Sequence, residues 1–130
     1  MGRQQPPKPT STELDILRVL WERGPSTVRE VHEVLARSKP IGYTTVLKLL
    51  QIMTGKGTVR RNEQERAHVY EAYQPAANTK RQLVGDLLQR AFAGSASQLM
   101  LHALDGKKTS PQEIEEIRRM LDEYEARAKS

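Results

Sequence analysis

At Gly57 the hydrophobic rhythm of this chain changes its period. Upstream, Val46, Leu49, Leu50 and Met53 recur at the i, i+3, i+4, i+7 spacing of a one-faced helix, which Gly55 and Gly57 stop. Downstream, Thr58-Val59-Arg60-Arg61 reads as a strand and residues 62–66 as a polar turn. His68 to Tyr73 then alternates as a second strand. A helix that runs straight into a hairpin leaves few choices of fold. An isolated two-stranded hairpin is marginal in water, so this one must pack on what precedes it, through Val59, Val69 and Tyr70.

What precedes it is two more short helices. Thr10 followed by Glu13 makes a capping box for a first helix from about Ser11 to Arg23, with Leu14, Leu17, Leu20 and Trp21 inward. Gly24-Pro25 ends it. Ser26-Thr27-Val28 is either a short strand or the cap of a second helix, which reaches about Arg37 with Val28, Val31 and Leu35 inward. Residues 38–42 form a connector in which Pro40 forbids a continuous helix. Three helices and then a hairpin make a winged helix-turn-helix. Residues 1–9, rich in Pro, Gln and Lys, are expected to be a disordered tail.

Beyond Gln74-Pro75 the chain is helical again. One helix spans about Asn78 to Ala93, carrying Leu83, Leu87 and Leu88 with Phe92 beside them. A shorter one, about Ala96 to Leu104, carries Leu99 and Met100. Ser110 caps a last helix whose stripe is Ile114, Ile117, Leu121 and Tyr124, with Pro111 at its first position. Three helices of this size bury their stripes poorly alone. A second copy of the chain is the natural cover, and these ten side chains are the expected dimerisation surface. The expected fold is therefore mainly α: a tail over 1–9, a winged helix over 10–75 with a small β-hairpin wing, and a helical dimerisation region over 76–130.

Charge says where a partner binds. Residues 37–66 hold seven Lys or Arg against two Glu, a local excess equal to the net +5 of the whole chain. The helix within the stretch from Gly42 to Gly57 turns outward Tyr43, Thr44, Thr45, Lys48 and Gln51, with no acid among them. Hydroxyls, an amide and a lysine can reach base edges in a major groove, and no carboxylate repels the phosphates. Lys56, Arg60, Arg61, Arg66 and His68 follow as a basic wing suited to the backbone of double-stranded DNA. Two heads on an inverted repeat, one per copy of a homodimer, multiply the discrimination of one.

Other classes of function find little support. With no Cys there is no disulfide, thiolate metal site or cysteine nucleophile. One Trp and one Phe argue against a large aromatic-lined pocket, and no cofactor is expected. The three histidines, His32, His68 and His102, fall on three different elements, and each reads as a surface histidine rather than a metal ligand. There is no nucleophile elbow, no glycine-rich phosphate loop and no pair of acids opposite a base, so catalysis is not expected. No apolar run approaches a membrane span and no charged-then-apolar leader opens the chain, so a cytoplasmic protein is expected.

Three stretches together resemble the penicillinase-repressor (BlaI/MecI) family: Glu13 to Trp21, Gly24 to Val31, and Tyr43-Thr44-Thr45-Val46 with Leu49-Leu50 and Lys56-Gly57. Arg66-Ala67-His68-Val69-Tyr70 and the last helix from Ser110 to Ile117 are similar as well. The resemblance implies a bacterial dimeric transcriptional repressor whose recognition helix carries Tyr43, Thr44, Thr45 and Lys48. In antibiotic-responsive members a membrane sensor protease relieves repression by cutting an Asn-Phe bond. The corresponding pair here is His102-Ala103, and no Asn-Phe occurs in the chain. A copper-responsive branch carries a cysteine motif that this chain lacks. Gly42 stands where a Ser often caps the recognition helix.

The competing class is a winged-helix adaptor that docks proteins and reads no DNA sequence. The acid-free helix face and the basic patch argue against it. An adaptor would also show no sharp fall of binding with salt.

Overall fold

The computed structural model describes residues 7–63 and 67–129. The elements run α1 (Ser11–Arg23), β1 (Ser26–Thr27), α2 (Val28–Ala36), α3 (Tyr43–Lys56), β2 (Val59–Asn62), β3 (Val69–Ala72), α4 (Ala76–Phe92), α5 (Ala96–Asp105) and α6 (Pro111–Lys129). The chain divides into two compact units, one ending at Val84 and one beginning at Gly85.

In the first unit, local signals set the element ends. The Thr10 hydroxyl accepts from the Glu13 amide at 3.3 Å, and the Glu13 carboxylate accepts from the Thr10 amide at 3.0 Å. Thr27 and Glu30 repeat this reciprocal box at the start of α2. Both boxes satisfy amides that a helix N-terminus otherwise leaves open. Ser26-Thr27 is thus a strand and a cap at once. Gly57 closes α3 in a left-handed conformation (φ 83°), which an L side chain adopts only with strain.

The sheet has three strands, not the two of a simple hairpin. Its order is β1-β3-β2, and both neighbours of β3 are antiparallel to it. Tyr70 pairs with Ser26 on one side and with Arg61 on the other, and it is 1% exposed. Its ring joins Val59, Val46, Leu50, Met53, Val31 and Ile16 in a single core. Of the expected inward residues, Leu17, Leu20, Val28, Val31, Leu35, Val46, Leu50, Met53 and Val59 are buried, whereas Leu14, Trp21, Leu49 and Val69 are only partly covered. Ile16 and Val19, outside the expected stripe of α1, are buried too. The reason is that α1 packs on α2 and on β3, so its covered arc is wider than one stripe.

Ion pairs lie across this core. Glu13 is almost fully buried, and Lys56 at the end of α3 donates to both its oxygens, at 2.9 and 3.2 Å. Burial pushes the Glu13 carboxyl up, but the Thr10 amide, the Lys56 ammonium and the Thr10 hydroxyl outweigh it and leave it below the ordinary glutamate value. Lys39, before α3, pairs with Asp15 of α1. Arg23 pairs with Glu30 across the α1–α2 junction. The opening turns of α4 also belong to this unit. Thr79 is buried, and the Lys80 ammonium lies 5.8 Å from the centroid of the half-buried Trp21 ring. Pro9, expected within the tail, is buried as well, whereas residues 1–6 of that expected tail lie outside the described residues.

The second unit comprises the rest of α4, then α5 and α6. Ser95 caps α5 through the Gln98 amide, and Ser110 caps α6 through the Glu113 amide. The Phe92 and His102 rings meet at 5.6 Å. No residue of α5 or α6 is buried. Leu87, Met100, Leu121 and Tyr124 are exposed, and Leu83, Leu88, Phe92, Leu99, Ile114 and Ile117 are only partly covered. The stripes therefore exist as helix faces, but a single chain does not cover them. Among the described residues, no helix is long and apolar enough to cross a membrane.

Candidate nucleic-acid interface

The site is built on α3. Val46, Leu50 and Met53 are fully buried, which fixes the rotation of the helix about its axis. Thr44, Thr45, Lys48 and Gln51 then face outward and are exposed. Tyr43, the first residue of the helix, is 48% exposed, and Ile52 on the outer face is 41% exposed. No acidic residue lies on the helix. Its N-terminus is also unlike those of α1 and α2: Gly42 offers no side-chain cap. The first amides of α3 are left with their partial positive charge, a favourable place for an anion.

The hairpin follows one residue after Gly57. Arg60 projects from β2 and pairs with its cross-strand neighbour Glu71. Arg61 pairs with Glu63. The Tyr70 hydroxyl, and Glu63 beside it, hold the Arg61 guanidinium above its ordinary value. His68 is exposed just before β3. Arg66 lies outside the described residues. Lys56 belongs to the same end of α3, but its ammonium is held by Glu13 and only about a third of its side chain is exposed. Its main structural partner is thus a buried carboxylate, which the sequence alone did not reveal. The structure brings Tyr43, Thr44, Thr45 and Lys48 onto one helix, with Arg60, Arg61 and His68 on the hairpin beyond it.

The profile of the penicillinase-repressor family matches residues 9–123. The chain belongs to that family. The transcriptional regulator BlaI of Mycobacterium tuberculosis is 33% identical over 116 residues, covering 88% of this chain and 83% of the relative. The penicillinase repressor of Bacillus licheniformis is 23% identical over 123 residues, covering 95% and 96%. Among solved structures, that of monomeric Bacillus licheniformis BlaI in complex with the blaP half-operator superposes with a TM-score of 0.51 at 20% identity. It covers 57% of this chain and 90% of that one, and at this identity the likeness concerns the fold. These relatives are named as regulators, and penicillinase repressors are not enzymes.

One residue of this penicillinase-repressor site escaped sequence reasoning. His32, expected on the surface, is half-buried, and its Nε2 lies 2.9 Å from the Ile41 carbonyl oxygen. Its ring stands edge-on to Tyr43, with centroids 6.0 Å apart and planes at 79°. Nothing local signals these contacts, because both partners lie across the α2–α3 turn.

Proposed function

We propose that this chain is a sequence-specific DNA-binding repressor that acts as a cytoplasmic homodimer on an inverted-repeat operator. The observation that carries the proposal is the exposed, acid-free face of α3, presented by a buried opposite face and followed directly by a basic hairpin. In this reading α3 enters the major groove. Tyr43, Thr44, Thr45 and Lys48 read base edges, with lysine suited to a guanine edge. Arg60, Arg61, Arg66 and His68 of the wing meet phosphates, joined by the exposed part of Lys56. A relative of the same fold, solved in complex with its half-operator, supports DNA as the partner. We take residues 10–75 as the DNA-binding domain and 76–130 as the dimerisation region.

The second copy supplies what the second unit lacks. The partly covered and exposed stripe from Leu83 to Tyr124 is apolar surface that a single chain leaves in water. The occupant we assign is the same stripe on a partner, which makes a self-complementary two-fold interface. A sensor protease that released this repressor would have to cut a sequence other than Asn-Phe. His102-Ala103, the matching pair, is exposed in α5.

The test is to retain sheared genomic DNA on the purified protein at low and at near-physiological salt, and to sequence what remains. Fragments that survive the higher salt and share an inverted repeat are the expected result. Loss of all DNA at the higher salt, or retention without a common motif, would reduce the interaction to non-specific electrostatics.

A further inference from the structure

We infer that His32 is a positioning residue for the recognition helix, holding from α2 the peptide and the first side chain on either side of Gly42, where the helix has no side-chain cap. The inference rests on the DNA-binding reading for its consequence, but its geometry stands apart from that reading.

The first two helices of the winged unit open with reciprocal side-chain boxes, Thr10 with Glu13 and Thr27 with Glu30. The third, on which sequence reading depends, opens on Gly42 with no side-chain cap. Gly42 gives the first turn of α3 no side-chain acceptor, and as a glycine it leaves the backbone at the cap freer than any other residue would. Yet Tyr43, Thr44 and Thr45 sit in that turn, where a misplacement of about an ångström is enough to spoil a hydrogen bond to a base edge.

His32 supplies the constraint from outside the helix. It sits on α2, half-buried, and reaches across the turn. Its Nε2–H donates to the Ile41 carbonyl at 2.9 Å, which fixes the peptide immediately before Gly42. The edge of its ring meets Tyr43, which fixes the first side chain of α3. Edge-to-face contacts of this kind add directional preference to simple burial. One side chain thus clamps the chain on both sides of the flexible Gly42. It also ties the clamp to α2, whose own position is set by Val28, Val31 and Leu35 in the core. His32 touches no DNA in this scheme. It acts through Tyr43 and the first turn.

Three full-length variants separate the two contacts. His32→Ala removes both, His32→Phe keeps a ring but cannot donate, and His32→Gln can donate but has no ring. Two readouts are needed. The first is amide exchange at Val46 and Leu47, whose hydrogen bonds close the first turn, against Leu50 to Met53 as the internal reference. The second is affinity for the best fragment from the genomic selection and for an unrelated fragment at the same salt, with the thermal midpoint recorded alongside.

His32→Ala is expected to speed exchange about tenfold at Val46 and Leu47 and to leave Leu50 to Met53 unchanged. It is expected to weaken the selected fragment about tenfold and the unrelated one less than threefold. His32→Gln is expected to recover part of both losses and His32→Phe a different part. Unchanged exchange in the first turn, or equal losses on both fragments, would overturn the inference. Should the wild-type protein prefer no fragment, the DNA reading fails, and the exchange arm alone decides whether His32 positions α3. If His32→Ala does not fold, His32→Gln against His32→Phe makes the same comparison.

Discussion

Lys48 and Arg61 make different demands on the same DNA. Lys48 is exposed at the middle of the acid-free face and is free to approach a base edge. Arg61 sits on the wing, paired with Glu63. Lys48→Ala should cost about 1–3 kcal/mol on preferred sites and much less on random DNA. Arg61→Ala should weaken both about equally and lower the salt slope by about one. Equal losses from Lys48→Ala on all sequences would remove it from base reading. Glu13 and Lys56 carry the corresponding argument for stability. Lys56→Met leaves a buried carboxylate without its cation and should cost about 1–3 kcal/mol in denaturant unfolding. The Glu13 carboxyl is lowered on folding, so its stabilisation is full above its unfolded value, about 4.3, and is lost as pH falls through the lower folded value. Glu13→Gln should therefore flatten the acid limb of the stability–pH curve while leaving the remaining carboxylates to titrate. His32 and Glu13 also show where sequence reading stops at this scale. The Thr10–Glu13 box was legible because both partners lie three residues apart. The Lys56–Glu13 and His32–Tyr43 contacts were not, since they join residues that only the packed core brings together.

Elements were more legible than contacts, because their ends are written locally. Glycine and proline cut the chain at 24–25, 40, 57, 75 and 94, and the helices stop near them. Gly57 is the case with the clearest cost. Its φ of 83° is needed for the chain to leave α3 and turn into β2. Gly57→Ala should destabilise the first unit by about 1 kcal/mol or somewhat more, measurable as a lower urea midpoint with an unchanged slope. Gly55 makes a useful control, since it lies within the helix at ordinary φ with open space where a Cβ would go. Gly55→Ala should stabilise by roughly 0.5–1 kcal/mol. The third strand was legible only as an alternative to a helix cap, and its place in the sheet not at all. Two residues, Ser26-Thr27, carry no alternation to detect, and they read equally as a helix cap. Only the pairing of Ser26 with Tyr70 makes them a strand. The extra buried positions Ile16 and Val19 were hidden for a related reason: a helix packed on two sides has no single stripe.

For the whole molecule the contrast between its two units matters most. The first has, among the described residues, a core of twelve buried hydrophobic side chains. The second exposes Leu87, Met100, Leu101, Met120, Leu121 and Tyr124, all on helices with little covered surface. The dimer proposal makes a quantitative demand here. Sedimentation equilibrium at micromolar concentration should give twice the chain mass, and the pair Leu121→Asp with Tyr124→Asp should give the single mass. That double variant should keep most of its affinity for a half-site while losing most of the gain from a full inverted repeat. A variant that stayed dimeric would move the interface elsewhere.

The strand order β1-β3-β2 has one more consequence. It leaves β2 at the margin of the sheet, with β3 as its one neighbouring strand among the described residues. Such a margin is a template on which another molecule's extended segment can add and propagate. Here the margin carries Arg60 and Arg61, long charged side chains of the kind that disfavour such addition. The arginines assigned to phosphates are thus also gatekeepers of solubility. Replacing both with threonine, a good strand former without charge, should produce turbidity on storage well before any loss of fold is measurable. The proposed phosphate contacts and the protection of the sheet margin thus fall to the same two side chains.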